Sequence, residues 1–537
     1  APIPAAPTGF INGSYTQDIR GFRERNYDFL IGANKKKGDF GVDLTFGGNQ
    51  MYRKTEYNSV TVQDFVQPGL YTIMNGRAKD PLYGKAERSV NSLYGAGEFS
   101  FRNFLFLNVT GRNDWFSTLA ASARSIFYPS VTQSFIFSDV IKMPSWISYG
   151  KLRAAYAEVG DDNVAPYSNA LYYGVNNNLF PNPSGATIPV GGINTTLIPN
   201  AALRPLRVAE SEVGVELKMF NNRVGLDLSY FYKITKDQIL AAQVSDASGF
   251  TNQLINIGES MNKGLEMQMN LTPIRNKNFK WEINLNGAYN TSKVIKLGAT
   301  PADTVISVGG GGGRVVKQVV GKPIGALYTF LYLRDAQGNQ VFDKASGKPL
   351  RNNNPAYVGN ILPKYFGGIT NSFTIHGIQI STLIDFRLGS KMIAGSNMNA
   401  LRHGLSKRTL VGRAEGYVIG VGVNPDGAVN ATKCDLQPYY ETPNVLGVNE
   451  DFVFNAGFWK LRQLSIGYDF TRHMSKFKFI KGMRLNAIAN NVLVLKKWTE
   501  NMDPENMANI SDNETGLDFW TPLPPTRSVG FNLNIKF

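Results

Sequence analysis

The chain has 537 residues, a net charge of +15, ordinary hydrophobic content and one cysteine, Cys434. Its length exceeds what one ordinary soluble domain needs, yet no linker-like stretch divides it. No apolar run approaches the length of a membrane-spanning helix. A lone cysteine excludes an internal disulfide and a Cys-based metal site, and the Lys and Arg residues are spread out rather than clustered, which argues against nucleic-acid binding.

The opening residues, APIPAAP, hold no Met, no charged n-region and no apolar h-region, so they do not read as a signal peptide. The expectation is a chain that forms the later part of something longer. Strands are predicted over Gly9–Arg20, weakly patterned, and over Tyr27–Lys36. Asp39–Gly47 is clearer, with Phe40, Val42, Leu44 and Phe46 alternating against Asp39, Asp43 and Thr45. A Lys-rich turn (Lys35, Lys36, Lys37, Gly38) joins these two, and a long polar stretch follows to about Arg88.

Ser89–Phe101 and Phe104–Arg112 read as a hairpin, with Leu105, Leu107 and Val109 on one face. Strands follow near Phe127–Phe137 and Ile147–Val159, then a long loop to Leu206. Arg207–Met219 and Arg223–Ile234 pair across Phe220, Asn221 and Asn222. Asn262–Pro273 pairs with Phe279–Val294. A very long excursion reaches Pro363, before Lys364–Phe373 and Ile378–Leu388 pair across His376 and Gly377. A second very long excursion ends near Phe454. Phe458–Phe470 and Met483–Leu495 pair across a basic turn. In Phe458–Phe470 the apolar phase is odd at Trp459 and Leu461 but even at Leu464, Ile466, Tyr468 and Phe470. One extra residue flips the facing side, so a β-bulge is expected near Arg462–Gln463.

The last strand, Ser528–Phe537 (SVGFNLNIKF), alternates strictly and ends the sequence on an aromatic residue. Val529, Phe531, Leu533, Ile535 and Phe537 form its apolar face, as in the closing strand of an outer-membrane barrel, where that face meets lipid and carries the insertion signal. Short turns and long loops alternate from Tyr27 onward, as in a membrane meander with short periplasmic turns and long outer loops. The plentiful Gly, Tyr and Phe suit strands, turns and aromatic girdles. The fold class is therefore all-β: a transmembrane antiparallel barrel wall of about 16 strands, each near the ten residues a tilted crossing needs. A soluble propeller or sandwich is the alternative, but the blade-like repeat of a propeller is missing.

A series of motifs runs along the chain in order. It begins with GRNDWFSTL (Gly111–Leu119), FYPSVTQSF (Phe127–Phe135), KLRAAYAEVGDDN (Lys151–Asn163), NRVGLDLSYFYKITKDQIL (Asn222–Leu240) and NIGESMNKGLEMQMNLTPI (Asn256–Ile274). GKPIGALY (Gly321–Tyr328), GNILPKYFGGITNSF (Gly359–Phe373), FWKLRQLSIGYDF (Phe458–Phe470) and NNVLVLKKWTENMDPE (Asn490–Glu505) complete it. In this order the motifs resemble the C-terminal part of SusC/RagA-type TonB-dependent outer-membrane transporters of Bacteroidetes. The resemblance covers nearly the whole chain. It implies a barrel of about 22 strands with a plugged lumen, of which residues 1–537 are the C-terminal part of one barrel domain. The plug, the TonB-contacting segment and the first strands would then come from a partner polypeptide or an N-terminal portion, since open strand edges in lipid are costly. It further implies import of a glycan or oligopeptide across the outer membrane, with a SusD-like lipoprotein as lid and TonB acting through the plug. The alternative is a structural barrel component of a larger outer-membrane assembly, without transport of its own.

Little points to catalysis. Gly309–Gly313 precedes Arg314 rather than a GK[ST] sequence and reads as loop. His376, His403 and His473 are scattered without ligand spacing, and Asp161–Asp162–Asn163 lacks the loop of a Ca²⁺ motif. No cofactor, metal or catalytic residue is expected. Arg112, Asp114, Asp385 and Arg387 are candidates to line a wet lumen, with ordinary lumen hydration as the plain reading. Trp115, Tyr439, Tyr440 and Trp520 are candidate loop aromatics for contact with solute or lid. The excursions Leu297–Leu362 and Lys391–Val453 are longer than strand connection needs and are the best candidates for lid contact.

Overall fold

The computed structural model describes residues 13–162, 164–181, 183–193, 197–298, 305–311, 313–474, 479–505, 517–518 and 525–537. Its dominant element is a sixteen-stranded sheet. Fifteen strands follow one another as hydrogen-bonded neighbours in chain order. They are β1 (Ser14–Lys37), β2 (Phe40–Phe65), β3 (Gly76–Phe101), β4 (Leu105–Phe116), β5 (Ser125–Phe135), β6 (Ile147–Asp161), β7 (Leu206–Met219) and β8 (Val224–Gln243). Then come β9 (Asn252–Arg275), β10 (Phe279–Lys296), β11 (Tyr365–Ile375), β12 (Ile378–Leu388), β13 (Phe458–Asp469), β14 (Gly482–Lys497) and β15 (Ser528–Lys536). The sixteenth, Leu197–Ile198, runs parallel to the start of β9. No described helix is long and apolar enough to cross a membrane.

The chain divides into two compact units. The first comprises residues up to Gln133, Ala155–Ala209 and Thr235–Gly258; the second comprises Ser134–Ala154, Glu210–Ile234 and Glu259–Phe537. Strands β5 to β9 run through both. In the first unit β1, β2 and β3 are 24, 26 and 26 residues long. A crossing needs only about 9–11 residues, so the strands continue well past the apolar band. The two strands expected over Gly9–Arg20 and Tyr27–Lys36 are therefore one, and the polar stretch before Arg88 is paired strand with a single turn between Phe65 and Gly76. Cross-strand polar pairs hold this extension. Arg53 meets Glu24 at 2.8 Å and the Tyr52 hydroxyl donates to Glu87 at 2.9 Å.

In the second unit the register sorts every strand into two faces. One face carries Trp281, Ile283 and Leu285 on β10, Ile369 and Phe373 on β11, Ile380 and Ile384 on β12, and Ile466 on β13. It ends with Leu485 on β14 opposite Leu533 on β15. The other face carries Glu282, Asn284, Thr370, Ser372, Ser381, Asp385, Ser465, Asn486, Asn532 and Asn534. The apolar face stays exposed: Val529, Phe531 and Leu533 are 73%, 78% and 56% accessible. A row of exposed side chains this apolar needs a non-aqueous medium.

Aromatic pairs bound that face at both margins. Trp281 stacks on Phe373 at 5.7 Å near the short turns, while Tyr289 meets Tyr365 at 5.0 Å and Phe386 stacks on Trp459 at 4.5 Å near the long loops. Trp281 and Tyr289 are eight residues apart on β10, which is about 20 Å across the sheet at barrel tilt, near the height of a lipid-facing band. The expected bulge is present. Leu383 pairs with Gln463 and Ile384 with Leu461, so Arg462 is the extra residue. It lets Lys460, Arg462 and Gln463 share the polar face while Trp459, Leu461, Leu464 and Ile466 keep the apolar one.

The two excursions after β10 and β12 form one folded body within the second unit. Val316, Leu327, Ile361, Ile393, Met398, Leu401 and Phe452 make its core. Helices α1 (Gly395–Arg402) and α2 (Leu436–Leu446) pack with short strands around it, and α2 stops at Gly447, whose φ of 67° is the usual left-handed cap.

Candidate functional site

Among the described residues, polar side chains gather on the polar face of the sheet and in a cleft in the loop body. On the sheet of the first unit, the register sets Arg112 opposite Tyr94 and Asp114 opposite Ser92. The guanidinium of Arg112 donates to Asp114 at 2.9 Å and to the Ser92 hydroxyl at 2.8 Å, and lies 5.5 Å from the Tyr94 ring centre. The Tyr128 hydroxyl donates to Asp114, which is buried. These two candidates thus partner each other. Trp115 does not sit in a loop as expected. It lies within β4, opposite Asn91, on the phase of Leu105, Leu107 and Val109.

The sequence reading missed a neighbouring anchor. Asp162 is fully buried and accepts hydrogen bonds from Arg88 and the Thr118 hydroxyl. Asp162 is therefore a buried anchor, while Asn163 lies outside the described residues. The signal was absent because the three partners are far apart in sequence and each is ordinary alone.

On the sheet of the second unit, β12 and β13 build a larger ion network. Lys460, 4% exposed, donates to Asp503 at 2.6 Å and to Glu505 at 2.5 Å. Arg462 meets Asp385 at 2.6 Å and Glu505 at 2.9 Å, and Arg387 meets Glu505 at 3.8 Å. Asp385 and Arg387 do sit on the polar face, and they join a clamp that holds the segment after β14 against the wall. Further along this face Arg153 meets Asp227 at 2.6 Å and Glu212 at 3.3 Å, and lines an open cleft of about 320 Å³ with Ser229, Glu266, Gln268 and Asn286.

The cleft in the loop body is about 300 Å³ and is lined by Tyr332, Arg334, Arg408, Tyr439, Tyr440 and Asp451, among others. Tyr332 donates from its hydroxyl to Asp451 at 3.0 Å and from its backbone N–H to Glu450 at 2.9 Å. Arg334 meets Glu450 at 2.7 Å and Arg408 meets Asp451 at 3.8 Å. Burial, reinforced by Asp451, pushes the Tyr332 hydroxyl well above the usual phenol range. Burial likewise raises Tyr439, with Tyr440 adding to it.

Both α2 aromatics are in contact here, their rings edge to face at 5.2 Å. Tyr440 packs on the core, and its hydroxyl lies 3.0 Å from the Arg408 carbonyl and 2.9 Å from that of Val411. Tyr440 is thus a staple of the body, and Tyr439 is the wall of the cleft. Trp520 lies outside the described residues. Aromatic walls with fixed charges suit stacking and hydrogen bonding of a polar solute. Among the described residues no three His, Cys, Asp or Glu side chains stand together as a metal site.

The comparisons agree with this architecture. The family model described as TonB dependent receptor-like, beta-barrel matches residues 5–492. TonB-dependent receptor P39 of Formosa agariphila is 23% identical over 537 residues, 90% of this chain and 49% of that protein. TonB-dependent receptor SusC of Bacteroides thetaiotaomicron is 20% identical over 97% of this chain and 49% of its own length. The chain therefore spans about half the length of the curated relatives it matches. The RagAB peptide transporter superposes with a TM-score of 0.75 at 17% identity, covering 97% of this chain and 56% of that one. The fold is thus shared with RagA-type barrels, and the resemblance to SusC/RagA proteins is borne out. The chain is an outer-membrane barrel wall, and it belongs to the TonB dependent receptor-like β-barrel family.

Proposed function

We propose that this chain forms most of the wall of an energised importer that takes up a glycan or an oligopeptide. The reading is supported chiefly by one observation: a membrane-facing wall carries, between its long-loop strand ends, a folded body with its own core and a polar aromatic cleft. A pore that needed only to stay open has no use for such a body. In this reading Tyr439 and the charges around it contact the solute, and Arg112, Asp114, Asp385 and Arg387 maintain a wet, self-neutralised wall. The C-terminal row from Val529 to Phe537 serves as the insertion signal and barrel-closing strand. The plug and the TonB-contacting segment are supplied from outside these 537 residues.

A SusD-like surface lipoprotein is the proposed lid. The loop body offers it exposed aliphatic side chains, with Leu405, Val421 and Val429 at 80%, 93% and 80% accessibility. RagAB, whose fold this chain shares, is a peptide transporter; the uptake test covers both glycan and oligopeptide. The test is uptake by cells producing the native particle, offered fluorescent oligosaccharides and oligopeptides. Saturable uptake of one class, abolished when the proton gradient is collapsed, is expected. Uptake of neither, or uptake indifferent to the gradient, overturns the importer and leaves a purely structural barrel.

A further inference from the structure

The lipid-facing side of the first unit is not flat. Ile31 and Ala33 of β1, Leu44 and Phe46 of β2, Phe99 of β3, Val109 of β4 and Phe127 on β5 line a groove of about 730 Å³. Its lining is almost wholly apolar, and Gly95, Gly97 and Gly111 leave the floor low between those walls. The register places the groove on one face: Ile31 pairs with Phe46 and Ala33 with Leu44, which in turn meets Gly97 opposite Val109.

The same β1 row continues toward the short turn. Odd-numbered residues share a side, so Ile31 and Ala33 are followed by Lys35 and Lys37. Six residues from Ile31 to Lys37 cover about 20 Å along the strand, taking the row from the apolar band to its margin. Phe40 and Phe101 mark that margin, their rings 4.8 Å apart. Lys36 points the other way and donates to Asn103 at 3.4 Å. Among the described residues neither Lys35 nor Lys37 has an ion-pair partner, and the nearby acid Asp39 is taken by Arg102 at 2.7 Å. An apolar trough thus opens beside two uncompensated cations at the short-turn edge of the membrane.

We propose that this groove is a binding site for an anionic phospholipid of the periplasmic leaflet, its acyl chain along the trough and its phosphate at Lys35 and Lys37. Charge complementarity selects this occupant. A second protein chain would need acidic groups at the margin and apolar bulk in the trough, and the described face offers no such acidic row to a copy of itself. Basic residues at a membrane surface favour anionic headgroups by roughly fivefold each.

The test is native mass spectrometry of the full protein in mild detergent, titrated with phosphatidylglycerol and, separately, with phosphatidylethanolamine. The wild type is expected to hold phosphatidylglycerol at one site per chain, more tightly than phosphatidylethanolamine. The double variant K35Q/K37Q changes exposed side chains at the end of β1, beside the short turn, so a heat-modifiable gel shift should report it folded. It is expected to weaken phosphatidylglycerol by about 25-fold and leave phosphatidylethanolamine unchanged. Gly95→Leu fills the floor and should remove both lipids; the nearest atom to an added Cβ there is the Thr45 carbonyl at 3.6 Å, so the backbone can accept it. Equal binding of the two lipids by the wild type, or unaltered phosphatidylglycerol binding in both variants, overturns the site. So does a Gly95→Leu effect confined to splitting a dimer.

Discussion

The wall strands and the loop body solve the same problem in opposite directions. On the wall Phe531 is 78% exposed and Val529 73%, while the groups kept from the apolar medium are polar. In the loop body Leu327, Ile393 and Val448 are 0% exposed, and the chain closes over a conventional core. Both lie in the second unit and use similar residue types. The difference teaches that burial in this chain has to be read against the local solvent: lipid for the wall, protein for the loops.

The largest way to break this contrast is at the clamp between β13 and the segment after β14. Lys460→Met takes the buried cation from Asp503 and leaves Glu505 to Arg462 and Arg387, at about 3–5 kcal/mol. The expected readout is new proteolytic cleavage near Asp503 with the wall still resistant. Next, Leu327→Ala opens a cavity in the loop-body core at about 2–5 kcal/mol, and limited proteolysis should release fragments from 314–361 and 391–455 while the sheet stays protected. On the wall, Leu533→Lys, or Leu228→Lys at an exposed apolar position of β8, is expected to cost about 2–4 kcal/mol near the bilayer midplane. Asn532→Lys, on the polar face, should change stability by under about 1 kcal/mol. Refolding into vesicles measures all three.

A smaller effect sharpens the comparison by pH. Burial raises the Cys434 thiol and the hydroxyls of Tyr332 and Tyr439 above their ordinary values. A folded-state pKa raised above the unfolded one gives stability that is full below the unfolded pKa and lost as pH rises through the folded value. The loop body is therefore expected to loosen as pH rises past about 8.5 to 10, before the wall does. Maleimide labelling of Cys434 should be slow at neutral pH and accelerate over that interval; fast labelling at pH 7 contradicts a buried thiol.

Alternation made the crossing parts of the wall legible, down to the extra residue at Arg462. It fails where both faces are wet. Residues such as Arg53, Lys54, Glu56 and Glu87 carry no apolar phase, so the extension of β2 and β3 beyond the membrane was hidden, although it is held by cross-strand contacts such as Tyr52–Glu87 at 2.9 Å. The loop body was invisible for another reason. Its strands are three to seven residues long, too short for a periodicity to register, and its core joins residues from Val316 to Phe452. For the site, alternation told which face Asp385 and Arg387 occupy. It carried nothing about partners such as Glu505, more than a hundred residues away.

The most direct test of the account is site-by-site accessibility along β15. With Cys434 replaced by Ser, single cysteines are introduced at 528 through 535 and spin-labelled in lipid vesicles. Labels at 529, 531, 533 and 535 should be relaxed by oxygen dissolved in lipid, and those at 528, 530, 532 and 534 by a water-soluble paramagnetic complex. A two-residue oscillation in opposite phase for the two reagents is the expected result. Uniform exposure to the aqueous reagent at all eight positions contradicts a lipid-facing wall, and with it the family's mode of crossing the membrane.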